Sequence, residues 1–184
     1  MKTSPKILFT LSFFLLMQYG CDDSVTNTID ESNLIVNSSF EKNGNSTLFG
    51  WKEGLNANVN FTNDTPPGGG NWAVTIESEG PFPRTFDQLT TKVKISPGTF
   101  KYQLSIWAKY YIIHGWADLY LIKPDTTILT TSFQINDTTW ENYTSIVTVT
   151  SEEGDSLRLN LTGGASELIA GRTYFDLCTL KILE

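Results

Sequence analysis

The sequence predicts an all-β fold, an antiparallel β-sandwich, and three observations carry the all-β expectation. Beyond residue 32 the chain is a series of short runs rich in β-branched and aromatic residues, broken at regular intervals by Gly, Pro, Asn and Asp. Apolar residues in the longer runs alternate with polar ones, the period of a half-buried strand, while helical periodicity is nearly absent. The breaks also have turn chemistry: Pro66-Pro67-Gly68-Gly69-Gly70, Ser96-Pro97-Gly98, Lys123-Pro124-Asp125 and Glu153-Gly154-Asp155.

Strands are expected over Leu34 to Phe40, Trp72 to Glu77, Asp87 to Ile95, Lys101 to Tyr111, Trp116 to Ile122, Thr127 to Gln134, Tyr143 to Val149, Leu157 to Leu161 and Thr173 to Ile182. So many short strands imply two sheets packed face to face. No internal repeat or boundary interrupts residues 33–184, which read as one domain of a size that builds a substantial core.

The amino-terminal segment has a different character. Lys2 and Lys6 precede an apolar stretch from Ile7 to Met17, and Gly20 stands directly before Cys21, the pattern of a secretory signal over residues 1–20. An apolar run of about 11 residues is short of the roughly 20 that span a bilayer, so cleavage is expected. Met17-Gln18-Tyr19-Gly20-Cys21 resembles the lipobox of bacterial lipoproteins, with Gln18 where leucine is usual. That resemblance implies a lipidated Cys21 and a membrane partner, each buried acyl methylene contributing about 0.8 kcal/mol. Residues 22–32, polar and acidic, read as a flexible tether. Acids directly after the cysteine resemble the surface-export signal of Bacteroidota lipoproteins, which implies the outer membrane or cell surface; in enteric bacteria an aspartate there instead favours inner-membrane retention.

Charge and missing motifs exclude other classes. The chain has 13 Lys and Arg against 20 Asp and Glu, and loss of Lys2 and Lys6 with the signal takes its net charge from −7 to about −9. A nucleic-acid partner needs clustered cations, and no basic run occurs. HExxH, GxSxG and P-loop motifs are absent, as is the Glu-x-Asp-x-x-Glu strand motif of sandwich-fold glycosidases, so no enzyme is expected. Cys178 lies in an alternating apolar segment and reads as a small core hydrophobe; His114, in a Gly-containing loop, reads as no partner for a nucleophile. Asp155-Ser156-Leu157 resembles the Bacteroidota acceptor motif for O-glycosylation.

Several landmarks fall in one order. Asn33-Leu34-Ile35-Val36-Asn37-Ser38-Ser39-Phe40-Glu41 followed by Phe49-Gly50-Trp51, then Ile95 to Lys109 with Tyr102, Leu104, Ser105, Trp107 and Ala108, then Thr139-Trp140-Glu141-Asn142-Tyr143, then Tyr174 to Leu180. This series resembles family 4/9-type carbohydrate-binding modules over about residues 33 to 184, with Ser38, Leu177 and Cys178 departing from the usual residues. The resemblance implies the galactose-binding-like jelly roll and a glycan ligand. It also implies a structural calcium held by Glu41 and Asp176, with backbone carbonyls near Lys42 or Asn43 supplying further oxygens. The alternative for the two acids is plain solvation. Trp51, Trp72 and Trp140 match framework positions of that fold and are expected to pack.

Strand alternation then sorts side chains by face. Tyr102, Leu104, Ile106 and Ala108 form an apolar set, leaving Gln103 and Trp107 opposite; Ala117, Leu119 and Leu121 leave Trp116, Asp118 and Tyr120; the leucines of 157–161 leave Arg158 and Asn160. Aromatic faces stack on sugar C–H faces and amides or charged groups bond the hydroxyls, so these seven residues form the candidate carbohydrate site. Two readings stay open: an exposed sugar cleft, or a face that is covered or inert in a module that docks another protein.

Overall fold

The computed structural model describes residues 32–54, 57–78, 89–164 and 171–183. The signal, Cys21 and nearly all of the tether lie outside the described residues. Twelve strands follow in order among those described: β1 Glu41–Lys42, β2 Asn45–Ser46, β3 Lys52–Glu53, β4 Asn58–Thr62, β5 Ala73–Ser78, β6 Leu89–Lys94, β7 Gly98–Tyr111, β8 Trp116–Ile122, β9 Thr127–Gln134, β10 Glu141–Ser151, β11 Ser156–Thr162 and β12 Gly171–Leu183. They form two five-stranded sheets, β10-β7-β12-β5-β4 and β3-β6-β11-β8-β9, plus the small β1–β2 hairpin. All pairings are antiparallel. Among the described residues no helix is long and apolar enough to cross a membrane.

Alternation builds the core as the sequence implies. Tyr102, Leu104, Ile106 and Ala108 of β7 face Ala117, Leu119 and Leu121 of β8 and the three leucines of β11, all buried. Phe175, Cys178 and Leu180 of β12 join them from the first sheet. Burying such side chains contributes about 1.5–3 kcal/mol each, so strand polarity and sandwich closure arise from the same burial.

Two expectations need correction. Leu34 to Phe40 is a series of turns, not a strand. Asn37 and Phe40 take left-handed backbone angles (φ 56° and 55°), incompatible with an extended ladder. The segment instead reaches the last strand by single bonds: Leu34 N–H donates to the Leu180 carbonyl at 2.8 Å and Cys178 N–H to that of Ser38 at 2.9 Å. The Asn33 carboxamide completes the tie, its Oδ1 accepting from Ile35 and Leu180. A strand the pattern does not single out, β4, forms the edge of the first sheet: its NVNFT sequence is rich in Asn, a poor strand former, and gains order by pairing along all of its length with β5.

The turns follow their residue chemistry. Gly68 and Gly70 are left-handed in the Pro66–Gly70 loop (φ 78° and 72°), and Lys123 N–H bonds the Thr126 carbonyl across the Pro124-Asp125 turn at 2.9 Å. Ser156 is 2 % exposed, so the Asp155-Ser156-Leu157 motif is inaccessible to a modifying enzyme in the folded chain.

Phe175, fully buried between the sheets, gives the check on the core. Phe175→Ala is expected to lower the unfolding free energy by about 3–5 kcal/mol, measured by denaturant titration of the full chain.

Candidate functional site

Strand register assembles one ordered patch on the outer face of the β3-β6-β11-β8-β9 sheet. Trp116, Asp118 and Tyr120 follow one another along β8, every second residue. Their partners across β11 are Thr162, Asn160 and Arg158, and on the other side, in β9, Gln134, Ser132 and Leu129. Thr90 and Lys92 of β6 extend the rows beyond Asn160 and Arg158. Trp116 and Tyr120, four residues apart in a strand, stand about 13 Å from each other. Both residues are half-buried, with polar neighbours in register on the adjoining strands.

The polar groups of this patch hold one another in place. Ser132 Oγ donates to Asp118 Oδ1, and Tyr120 OH donates to Asp118 Oδ2 at 3.4 Å. The Arg158 guanidinium lies over the Tyr120 ring, 5.4 Å from its centroid, a cation–π contact that also orients the fork of donors. Asn160 is more deeply set, 3 % exposed. Five of the seven predicted carbohydrate-site residues, Trp116, Asp118, Tyr120, Arg158 and Asn160, are thus brought together.

Gln103 and Trp107 are not part of it. They point away from the core as expected, but β7 belongs to the other sheet, so their outer face is on the opposite side of the sandwich. The connection 112–115 carries the chain from one sheet to the other, and alternation within each strand does not reveal that switch. Trp107 registers with Asn142 and Asp176, and Gln103 with Ile146 and Lys181. Ser132, Gln134, Thr90 and Lys92, which the sequence reading did not single out, belong to the patch through register alone.

On that opposite face a cluster packs around Lys109 and Trp140. Trp140 meets Tyr174 edge to face at 6.2 Å between centroids, and Lys109 Nζ sits 5.1 Å and 4.8 Å from those two ring centres. Asp64 accepts from both Lys109 and the Trp140 indole, which holds its carboxyl below the usual range against the opposing effect of burial. Trp51 stacks on Phe40 at 4.9 Å and Trp72 meets Phe61 edge to face, so all three framework tryptophans pack as expected. His114 sits in the crossover loop, stacked on Tyr110 with Nδ1 3.0 Å from the Ile135 carbonyl. Cys178 is wholly buried, and burial, with the Asp176 charge, pushes its thiol well above the ordinary range, leaving it a core hydrophobe.

Glu41 and Asp176, 135 positions apart in sequence, do converge. Both lie against the Gly69-Gly70 backbone: a Cβ on Gly69 would collide with Asp176 Oδ2 and one on Gly70 with Glu41 Oε1. Glu41 Oε2 accepts from Asn71 N–H at 3.0 Å, and Asp176 Oδ1 from Leu177 N–H at 2.7 Å. Asp176 Oδ2 is buried without a hydrogen-bond partner. Burial, and after it the Glu41 charge, raises the Asp176 carboxyl to about 8. Among the described residues no cluster of three or more acids, histidines or cysteines forms, so a cation here would need backbone oxygens as well.

No family profile and no curated protein matches the chain. Solved structures do. A family 16 carbohydrate-binding module is similar at 21 % identity and a TM-score of 0.60, over 83 % of this chain and 100 % of that one. A family 4 carbohydrate-binding module is similar at 16 % identity and a TM-score of 0.55, over 81 % and 99 %. The enzymatically active domain of tailspike protein 4 of bacteriophage CBA120 is similar at 17 % identity and a TM-score of 0.56, over 83 % of this chain but 22 % of that one. This chain therefore spans less than a quarter of the tailspike domain, and near the full length of the modules. The fold is the antiparallel jelly-roll sandwich that carbohydrate-binding modules have.

Proposed function

We propose that this chain is a non-catalytic lipoprotein that binds a poly- or oligosaccharide across the outer face of the β3-β6-β11-β8-β9 sheet. The observation that supports it most is the column Trp116-Asp118-Tyr120, two half-exposed rings either side of a carboxylate, flanked by Arg158 and Asn160. Two rings about 13 Å apart on one strand suit an extended ligand that stacks several sugar rings in turn. Carbohydrate-binding modules of the same fold support the reading, and the residues above give it a place.

The acids of the chain fit binding better than hydrolysis. Glycosidases place two carboxyls about 5–9 Å apart around an open site. On the candidate face the acid is Asp118, already bonded by Ser132 and Tyr120, while the converging pair Glu41 and Asp176 lies beneath the Gly69-Gly70 backbone. That second pair has the character of a cation site. A buried, unpartnered carboxylate oxygen beside a second carboxylate favours a hard cation, and Glu41, Asp176 and carbonyls of the 42–44 turn would hold calcium and tie the first hairpin to the last strand.

Tryptophan fluorescence titration of the full chain with a glycan panel tests the sugar reading. Trp116→Ala is expected to weaken binding about tenfold or more, and Trp107→Ala on the opposite face to leave it unchanged. The reverse result would move the site to the other sheet, and a flat response by folded protein to the whole panel would favour a protein-docking module.

Calcium at about a hundred times its dissociation constant is expected to raise the melting temperature by about 5–10 °C, a rise that Asp176→Asn abolishes. An unchanged melting curve across that range would remove the metal from the account. For the lipid anchor on Cys21, Cys21→Ser is expected to shift the chain from the membrane fraction to the soluble fraction; retention in the membrane would refute lipidation there.

A further inference from the structure

The charges on the candidate face run against those of the chain. Overall, acids outnumber bases 20 to 13. Yet β6 presents Lys92 and Lys94 outward, alternating with inward Thr91 and Val93, and β11 presents Arg158 directly beside Lys92. Lys52, at the sheet edge, registers with Thr90 in the same layer. Against these four cations the outward positions of the five strands hold one acid, Asp118. Both Asp118 oxygens already accept hydrogen bonds from within the patch.

Several cations elsewhere on the molecule pair with acids of the chain, Lys123 with Glu152 and Asp155 among them. On the opposite face Lys109 pairs with Asp64, and Arg172 with Glu77. Among the described residues none of Lys52, Lys92, Lys94 and Arg158 pairs with an acid. Arg158 is also oriented before any ligand arrives, by its stack on Tyr120, and its buried Nε–H has no acceptor. A preset guanidinium matches the paired oxygens of a carboxylate or sulfate, and the neighbouring ammonium adds attraction that salt screens.

We infer that this face takes an anionic polysaccharide, whose uronate carboxylates or sulfate esters bind Arg158 and Lys92 while its rings stack on Tyr120 and Trp116. The inference rests on the sugar-binding reading above and narrows its ligand class. The chain as a whole is net negative, so the cationic row is where such a polymer meets attraction.

The test uses the full chain in detergent with polygalacturonate, polymannuronate and hyaluronan, each beside its own carboxyl-reduced form, and dextran sulfate beside dextran. Expected is binding of at least one anionic member about tenfold or more tighter than its neutral counterpart, weakening as salt rises. Preference among the uronates or for dextran sulfate identifies the anionic group. Arg158→Gln should remove that preference, and Lys92→Gln, at an exposed position that folding does not depend on, should reduce it several-fold. Equal affinity for charged and neutral partners would overturn the inference and leave sugar binding standing. Equal binding of polyglutamate, which has no sugar rings, would overturn it as a general anion patch, and no binding by any polymer would overturn both.

Discussion

The structure depends on the pairing of its two longest strands, β7 and β12. They run antiparallel from Arg172 opposite Tyr111 to Leu183 opposite Lys101, with an irregularity between Asp176 and Thr179. Leu177 takes a left-handed angle there (φ 45°), so the chain gains a residue against its partner. The irregularity places Asp176 towards the Gly69-Gly70 loop and Cys178 into the core, and its backbone receives the turn segment around Asn33 and Ser38. Core closure, the acid pair and the anchorage of the amino-terminal segment therefore share one local geometry.

The two outer faces carry similar residue types to different ends. Around Lys109 and Trp140, ring, ammonium and carboxylate are consumed by each other, fixing the loop that holds Asp64. Around Trp116 and Tyr120 the same chemistry is arranged in rows, the rings half-buried and Lys92 and Lys94 exposed beside them. Composition does not separate these cases; what separates them is whether a neighbouring loop brings complementary groups within reach.

Much of the fold was legible because burial imposes a period. Most long strands lie within a few residues of their expected positions, and Leu157, Leu159 and Leu161 point inward as alternation requires. The misreading of Leu34 to Phe40 has a physical cause: its apolar residues pack against the core from turns, and Asn33 supplies side-chain bonds where a strand would use a ladder. β4 was missed for the converse reason, since its order comes from a partner and not from its own propensity. Glu41 and Asp176 were joined through a family resemblance; no local signal links positions so far apart.

By itself the sequence determined which side of each strand meets the core, because the side-chain period of two is local and the hydrophobic effect enforces it strand by strand. Outward placement of Trp116, Asp118, Tyr120 and Arg158 followed from that period alone, as did that of Gln103 and Trp107. Only the tertiary structure decided which strands are neighbours. Hydrogen-bond pairing is non-local, and the four-residue passage from β7 to β8 carries the chain to the second sheet. That partition divides the outward residues between two opposite faces and, with the register, sets Arg158 beside both Tyr120 and Lys92.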